Sequence, residues 1–514
     1  MTPLVTPVGR TARIALAVVL VAMFAGLGRL FWNALTADIA AIGAFGSLDY
    51  GEGIVWQQAA DLFTRKAFGP IDGFPAIVYH YTPVYHAVTW AASHAVGADM
   101  LTTGRWISLV CTLLAALLAG MVARQACRAD GPAVGAIVTG GAALSVFAFV
   151  PVTFWAPLMR VDMLAMALSV AGLLAGIHAL KRPGLIHLAA LLFVAAVYTK
   201  QTAIAAPAAL FAVMLCLQPR LVLKGLATCI VAGLVVLGAL TLATDGRFVQ
   251  HVFLYNVNRF DARRLVGISH HVASHLWLFA GALAGVAVRI RAIQADAGTL
   301  REKMTANPSH AAYAVAIAFF VTSGIMTLTV AKSGASINYF IEWSFALAIL
   351  VGMALIEPAR MAVHGARSGA AGVAFALLIP ALFALQTVLG KPALSHGPQP
   401  PQREAQLRML ASRIGSADKP VISDDMVVVR RGGKDVVWEP AIFAELAQIG
   451  TWDETLLVSK INNKEFAFFV THGVRGEPVF DSRYNPRVAA AIEKNYPVKR
   501  TLGGYMIHLP GAGS

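Results

Sequence analysis

Residues 10–35 read RTARIALAVVLVAMFAGLGRLFWNAL, and Asp49-Tyr-Gly-Glu52 follows a short distance on. Two arginines precede an apolar window over 13–35. A bilayer core needs about 20 apolar residues per helix, so the window predicts a membrane span. It is too long for a signal-peptide core and lacks a small-residue cleavage site, which makes it an anchor. The acidic motif then emerges on the side away from Arg10 and Arg13.

The rest of the 514 residues extends this pattern, with 57% hydrophobic and only 13% charged residues and a mean hydropathy of +0.66. Soluble domains carry about a quarter charged residues, so a soluble enzyme and a disordered chain are both excluded. About eleven spans are predicted, at 13–35, 105–124, 132–156, 162–180, 184–199, 201–218, 225–244, 271–289, 310–331, 338–356 and 369–390. Alternate turns carry Arg124/Arg128, Lys181/Arg182, Arg220/Lys224, Arg289/Arg291/Arg301/Lys303 and Arg360/Arg367 with few acids. That is the positive-inside signature, so the formal charge of +14 reports orientation and implies no nucleic-acid partner. The amino terminus is expected in the cytoplasm and the carboxyl terminus outside. Cys111, Cys127, Cys216 and Cys229 lie in or beside apolar stretches without metal-ligand spacing and are expected to pack.

The organisation expected is a transmembrane domain over 1–390, a proline-rich linker over 391–403 and a small extracytoplasmic α/β domain over 404–514. Strands are predicted at Pro420–Ser423, Met426–Val429, Asp435–Trp438, Phe466–Val470 and Tyr505–Leu509, and helices at Glu439–Ile449 and Pro486–Asn495. Within the first outer loop, Val55, Ala59, Leu62 and Phe63 share a helical face opposite Gln58, Asp61 and Arg65, which predicts an amphipathic helix on the membrane surface. The stretch 83–97 is too short to span and predicts a second surface or re-entrant helix.

Ionisable and amide side chains collect on the outer turns, where such residues are costly at membrane depth and are usually retained for function. Asp49 and Glu52 form a carboxylate pair suited to general-base work, although a solvated loop would carry the same residues. Arg160-Val-Asp162 follows on the same face, where Asp162 would also serve as a plain helix cap. Lys200-Gln201 sits between two spans with almost no loop, placed to meet a phosphate or to snorkel to the interface. Arg259, Arg263 and Arg264 would add to that anion site or remain a solvated run. His80, Tyr81 and Tyr85 form an aromatic cluster that fits a substrate pocket or an interfacial belt, and Asn338, Tyr339 and Glu342 open the tenth span. An outer cavity lined by acids and bases, with apolar helices around it, would suit a lipid-linked phosphate donor.

This layout resembles the membrane glycosyltransferases of the C-type fold, the group that includes protein O-mannosyltransferases and the lipid A aminoarabinose transferase. The matching features are the acidic motif after the first span, the two surface helices, Tyr81-Thr82-Pro83-Val84-Tyr85, Arg105, and the Arg160-x-Asp162 motif, in order over 1–220 and more loosely to 356. The resemblance implies a hexosyl- or pentosyltransferase of the bacterial inner membrane with a periplasmic active site. It would use a polyprenyl-phosphate sugar with inversion, and act on a lipid, envelope-glycan or protein acceptor. It carries the catalytic base to Asp49 and the supporting acid to Asp162, and these two would be the ligands of a divalent Mg or Mn, if any. Where some members have Glu-Lys before the prolines this chain has His80-Tyr-Thr-Pro83, so Lys200 is taken as the phosphate contact. A transporter or flippase of lipid-linked saccharides is the alternative, and a scaffold for the outer domain a third. The transporter is disfavoured by the one-sided polar residues and the lack of an internal repeat.

Overall fold

The computed structural model describes residues 6–256, 258–295, 297–390, 396–397 and 399–511. Helix α1 runs Arg10–Ile42 and is followed by α2, Glu52–Asp61, α3, Val84–Val96, and α4, Met100–Arg124. The chain reverses through Gly131, whose φ of 84° favours glycine, into α5, Gly131–Ser145. Short α6, Val150–Trp155, precedes α7, Asp162–Ala179, α8, Leu185–Val197, α9, Ala205–Leu217, and α10, Pro219–Ala243. Further long helices are Leu276–Ala295, Pro308–Met326, Ile341–Ala354 and Ala370–Leu389.

Eight helical stretches among the described residues are long and apolar enough to cross a membrane. Two expected spans, α8 and α9, have only 13 residues each, and one stretch, Met100–Ala148, holds two of the expected spans. Length therefore does not by itself establish eleven crossings. The window over 132–156 is not one helix. Phe149 is extended (φ −96°, ψ 116°) and Pro151 starts a new turn, as suits a residue whose ring pre-sets the first helical φ. After that break the chain runs through α6 to Arg160 and to Asp162 at the start of α7. Arg360 pairs with Asp130 (2.8 Å) and Arg13 donates to the Val363 carbonyl (3.0 Å).

Helix α2 departs from the surface helix expected. Among the residues of Glu52–Asp61, only Ala60 escapes full burial. Its polar residues are covered from two sides: Gln57 Oε1 accepts from Val436 N (2.9 Å) and Arg430 Nη1 (3.0 Å) of the C-terminal region, and Gln58 donates to the Val78 carbonyl (2.7 Å) of its own loop. A Cβ on Gly53 would lie 2.5 Å from the Met426 and Val427 backbone, so α2 meets helix Met426–Arg431 backbone to backbone. The sequence pattern sees a polar stripe and predicts water beside it. The partners of Gln57 come from the far end of the chain, and that of Gln58 from the same loop.

The C-terminal region carries a four-stranded sheet in the spatial order Ile422–Ser423, Phe469–Thr471, Tyr505–Leu509, Val498–Leu502, with the first pair parallel and the rest antiparallel. The strand expected at Met426–Val429 is a helix, because Asp425 accepts from the Val427 and Val428 amides (3.0 and 3.3 Å) and caps it. Asp435–Trp438 forms no strand among the described residues, only an isolated bridge from Trp438 to Ala76. The edge strand Val498–Leu502, mostly exposed, lacks the apolar alternation that would have announced it. The sheet region shares its core with the first loop: Ile71, Ala76 and Val78 pack with Trp438, Phe443 and Trp452. Trp452 also donates to the Ile71 carbonyl (2.8 Å). Of the expected linker, residues 391–395 and 398 lie outside the described residues.

Candidate functional site

Helix α2 and the loop before it carry the acidic motif, and its two carboxylates are treated differently. Glu52 is fully buried. Its Oε1 accepts from Arg105 Nε (2.9 Å) and Met159 N (2.9 Å), and its Oε2 from Arg105 Nη2 (2.8 Å) and Leu48 N (2.7 Å). Arg105 spends its remaining donors on the Ile42, Ala44 and Gly46 carbonyls (3.2, 2.7 and 2.9 Å). Burial works to raise the Glu52 pKa, but Arg105 outweighs it and holds the carboxyl below its usual range. Glu52 thus has both oxygens fully engaged and lies outside the cavity described below.

Asp49 has one oxygen held and one free. Its Oδ2 accepts from Arg160 Nη1 and from Gly51 N, both at 2.9 Å, while Oδ1 accepts no hydrogen bond among the described residues. Arg160 also donates from Nη2 to the Tyr81 hydroxyl (2.9 Å), and its buried Nε has no partner. Gly51 makes this possible, since a Cβ there would lie 1.4 Å from Arg160 Nη1.

Asp162 opens α7 at the same end. It accepts from Lys200 Nζ (2.7 Å), Asn338 Nδ2 (3.0 Å) and Trp155 Nε1 (3.1 Å). Lys200 sits on the unwound link between α8 and α9, the kind of irregular backbone that membrane depth tolerates only where it is buried or lines a cavity. That link is stitched to the aromatic segment. Val84 N donates to the Tyr198 carbonyl (2.9 Å) and Gln201 Nε2 to the His80 carbonyl (2.7 Å). Burial and the nearby Arg160 pull the His80 pKa down to about 3, so the ring is neutral at pH 7.

These residues surround a polar cavity of about 280 Å³, lined by Asp49, His80, Tyr81, Arg160, Lys200, Gln201, Asn338 and Tyr339. Glu342 lies outside it, on a smaller pocket of about 30 Å³ shared with Asp162 and Lys200. An apolar groove of about 620 Å³ adjoins the polar cavity at Gln201 and runs between α8, α9 and α10, lined by Phe193, Phe211, Leu234, Leu237 and Phe248.

Besides Glu52, Asp162 and Glu342, four more expected residues are not brought into the cavity. Arg259, Arg263 and Arg264 are exposed, Arg263 N is held by Asp261, and Arg264 donates to the Lys332 and Ala335 carbonyls. Tyr85 is buried, its hydroxyl donating to the Gly104 carbonyl (2.9 Å). The loop instead contributes Asn256 and Asn258, and Lys332 lines the cavity from just after the stretch Pro308–Ala331, its ammonium in no ion pair among the described residues. A lysine directly after an apolar run was the available signal. Glu439, from the C-terminal region, also lines the cavity and had no such signal.

Among the described residues no group of three or more His, Cys, Asp or Glu is placed to hold a metal ion. Asp49 and Asp162, the expected ligands of a divalent ion, are each paired with a cation of the chain itself, so this donor set does not fit one.

No family model matches the chain, and no curated protein matches it. Among solved structures it is similar to ArnT from Cupriavidus metallidurans bound to undecaprenyl phosphate. The identity is 15% and the TM-score 0.55, over 97% of this chain and 98% of that one. The apo state of the same protein aligns at 15% identity over 96% and 97% of the two chains, with a TM-score of 0.48. The chain therefore has the C-type fold of the aminoarabinose transferase, as the motif order implies.

Proposed function

We propose that this chain is a multi-pass glycosyltransferase of the bacterial inner membrane, with its amino terminus cytoplasmic and its C-terminal domain periplasmic. It moves a sugar from a polyprenyl-phosphate donor to a hydroxyl of a lipid, envelope glycan or protein acceptor. The observation that carries this is the junction at Gln201 of a charged cavity with an apolar groove, which suits a ligand with a phosphate head and a long hydrocarbon tail. The fold shared with a protein that binds undecaprenyl phosphate supports the same ligand class.

The tail would lie between α8, α9 and α10, and the phosphate would meet Lys332, Lys200 and the free Nε of Arg160. Asp49 Oδ1 takes the proton from the acceptor hydroxyl as its oxygen attacks the sugar carbon. The bond from that carbon to the phosphate oxygen breaks with inversion, and the phosphate leaves as an anion beside the cations. Arg160 holds Asp49 by its other oxygen and so keeps Oδ1 aimed.

The test is mass spectrometry of envelope lipids and glycans in a deletion strain, complemented by the wild type or by Asp49→Asn at equal expression. One sugar-bearing mass should vanish on deletion and return only with the wild type. Full restoration by Asp49→Asn would remove Asp49 as the base. A lipid-linked sugar accumulating on the cytoplasmic face of the deletion strain would favour a flippase instead.

A further inference from the structure

Glu439 stands at the N-cap of helix Pro440–Gln448, a position whose carboxylate ordinarily accepts from the first amides of its own helix. Here it does not. The Ala441 amide is taken by the Tyr50 hydroxyl (3.2 Å), from the residue next to Asp49, and the Glu439 side chain makes no cap bond. Tyr50 is itself fixed by the Arg483 guanidinium over its ring (4.1 Å). Glu439 is only 5% exposed, Oε2 is buried with no hydrogen-bond partner, and the residue lines the same cavity as Asp49 and Arg160. A buried carboxylate with no partner is costly, and such groups are retained where they meet a ligand.

We infer that Glu439, supplied by the C-terminal domain, is a substrate-contacting residue that accepts a hydrogen bond from a hydroxyl or ammonium group in the cavity, on the transferred sugar or on the acceptor. The inference rests on the transferase reading above and assigns the C-terminal domain a direct part in the site. The groups facing Glu439 are Arg160 from the bundle, Arg483 and Glu445 from its own domain, and Tyr50 between them. Burial lifts its pKa to about 7, against the pull of Arg160 and Arg483 and with the push of Glu445. The accepting carboxylate form therefore grows in as pH rises through neutrality.

The experiment uses the full-length protein in the deletion strain and, after purification, in detergent. Glu439→Gln and Glu439→Ala should lower the sugar-bearing product at least tenfold per copy of protein. The unfolding midpoint should stay level or rise, because a buried unpaired carboxylate has been removed. Binding of added undecaprenyl phosphate should be unchanged, and the rise of wild-type activity through pH 7 should be missing in Glu439→Gln. Native mass spectrometry of the purified variants separates the sources. Loss of co-purifying sugar-lipid places the contact on the transferred sugar, and its retention with lost product places it on the acceptor. Product within twofold of wild type, or a midpoint that falls together with product, would overturn the assignment. If the wild type itself forms no glycosylated product, the transferase reading falls, an outcome distinct from an active wild type with unaffected Glu439 variants.

Discussion

Asp49 and Glu52 are two carboxylates three residues apart on the same outer segment, and the fold gives them opposite tasks. Glu52 and its partner Arg105 are both 0% exposed, and four donors occupy the Glu52 oxygens. Asp49 and Arg160 are 23% and 13% exposed, and one Asp49 oxygen is unengaged on a cavity. The difference lies in saturation rather than charge. A carboxylate with every lone pair committed fixes the loop that carries it, and one with a spare lone pair can take a proton. The buried pair at Glu52 thus holds α2 and the Arg160 loop in register, with Met159 N as the link, so that the partly open pair can act.

The sharpest way to break this contrast is to remove one partner of the closed pair. Glu52→Ala leaves the Arg105 guanidinium buried without a counter-charge, a change that costs about 3–5 kcal/mol. The expected result is loss of folded protein, read as yield and unfolding midpoint in detergent. A stable, inactive Glu52→Ala would instead make Glu52 chemical. The pair also has a pH signature. The Glu52 pKa is lowered on folding, so its contribution is present above the usual 4.5 and is lost as pH falls through the lowered value. Acid unfolding of the wild type should therefore be steeper than that of a Glu52→Gln variant.

Asp49→Asn keeps the size and the contact to Arg160 through its carbonyl oxygen, but removes the proposed base. Product should fall by about 10²–10⁴-fold with the unfolding midpoint unchanged, since general-base catalysis is worth that much. A parallel loss of stability would mean that the two carboxylates differ less than their surroundings imply.

Much of this architecture was legible in the sequence because it rests on local pattern. The apolar windows, the basic turns and the one-sided polar residues are properties of neighbouring residues, and they place Asp49, Arg160, Asp162 and Lys200 at one end. What the sequence hid is pairing across distance. Arg105 lies 53 residues from Glu52, and nothing local tells which of two nearby acids it will claim. The polar stripe of α2 looked water-facing, yet Gln58 donates to the Val78 carbonyl later in the same loop, and neighbouring Gln57 takes Arg430 and Val436 from the far end of the chain. Met426–Val429 looked like a strand because three valines outweigh one aspartate in a propensity count, yet the Asp425 cap decides the element. Glu439 was invisible for the same reason as Arg105: its task depends on Tyr50 having taken its cap.

A smaller effect sharpens the open side of the comparison. Gly51→Ala would put a Cβ 1.4 Å from Arg160 Nη1, so the guanidinium must move off Asp49 while both charged residues remain present. Misplacement of about 1 Å in a catalytic group costs about 10²-fold, and a loss of that order in product with little change in stability is expected. Activity equal to wild type would show that Asp49 needs no orienting partner.

The smallest effect is expected where charge is present but uncommitted to the site. Arg259→Ala and Arg263→Ala remove exposed side chains on the outer loop before helix Leu276–Ala295. Exposed charges of this kind contribute about 0–1 kcal/mol at most, so product and stability should stay within about twofold of wild type. Lys332→Ala, by contrast, removes a cation on the cavity wall, and the affinity for added undecaprenyl phosphate should fall. If the arginines lowered that affinity as much as Lys332, the phosphate would be gathered by the loop's overall charge and not by residues on the wall. The distinction between committed and spare groups drawn from Asp49 and Glu52 would then fail for the cations.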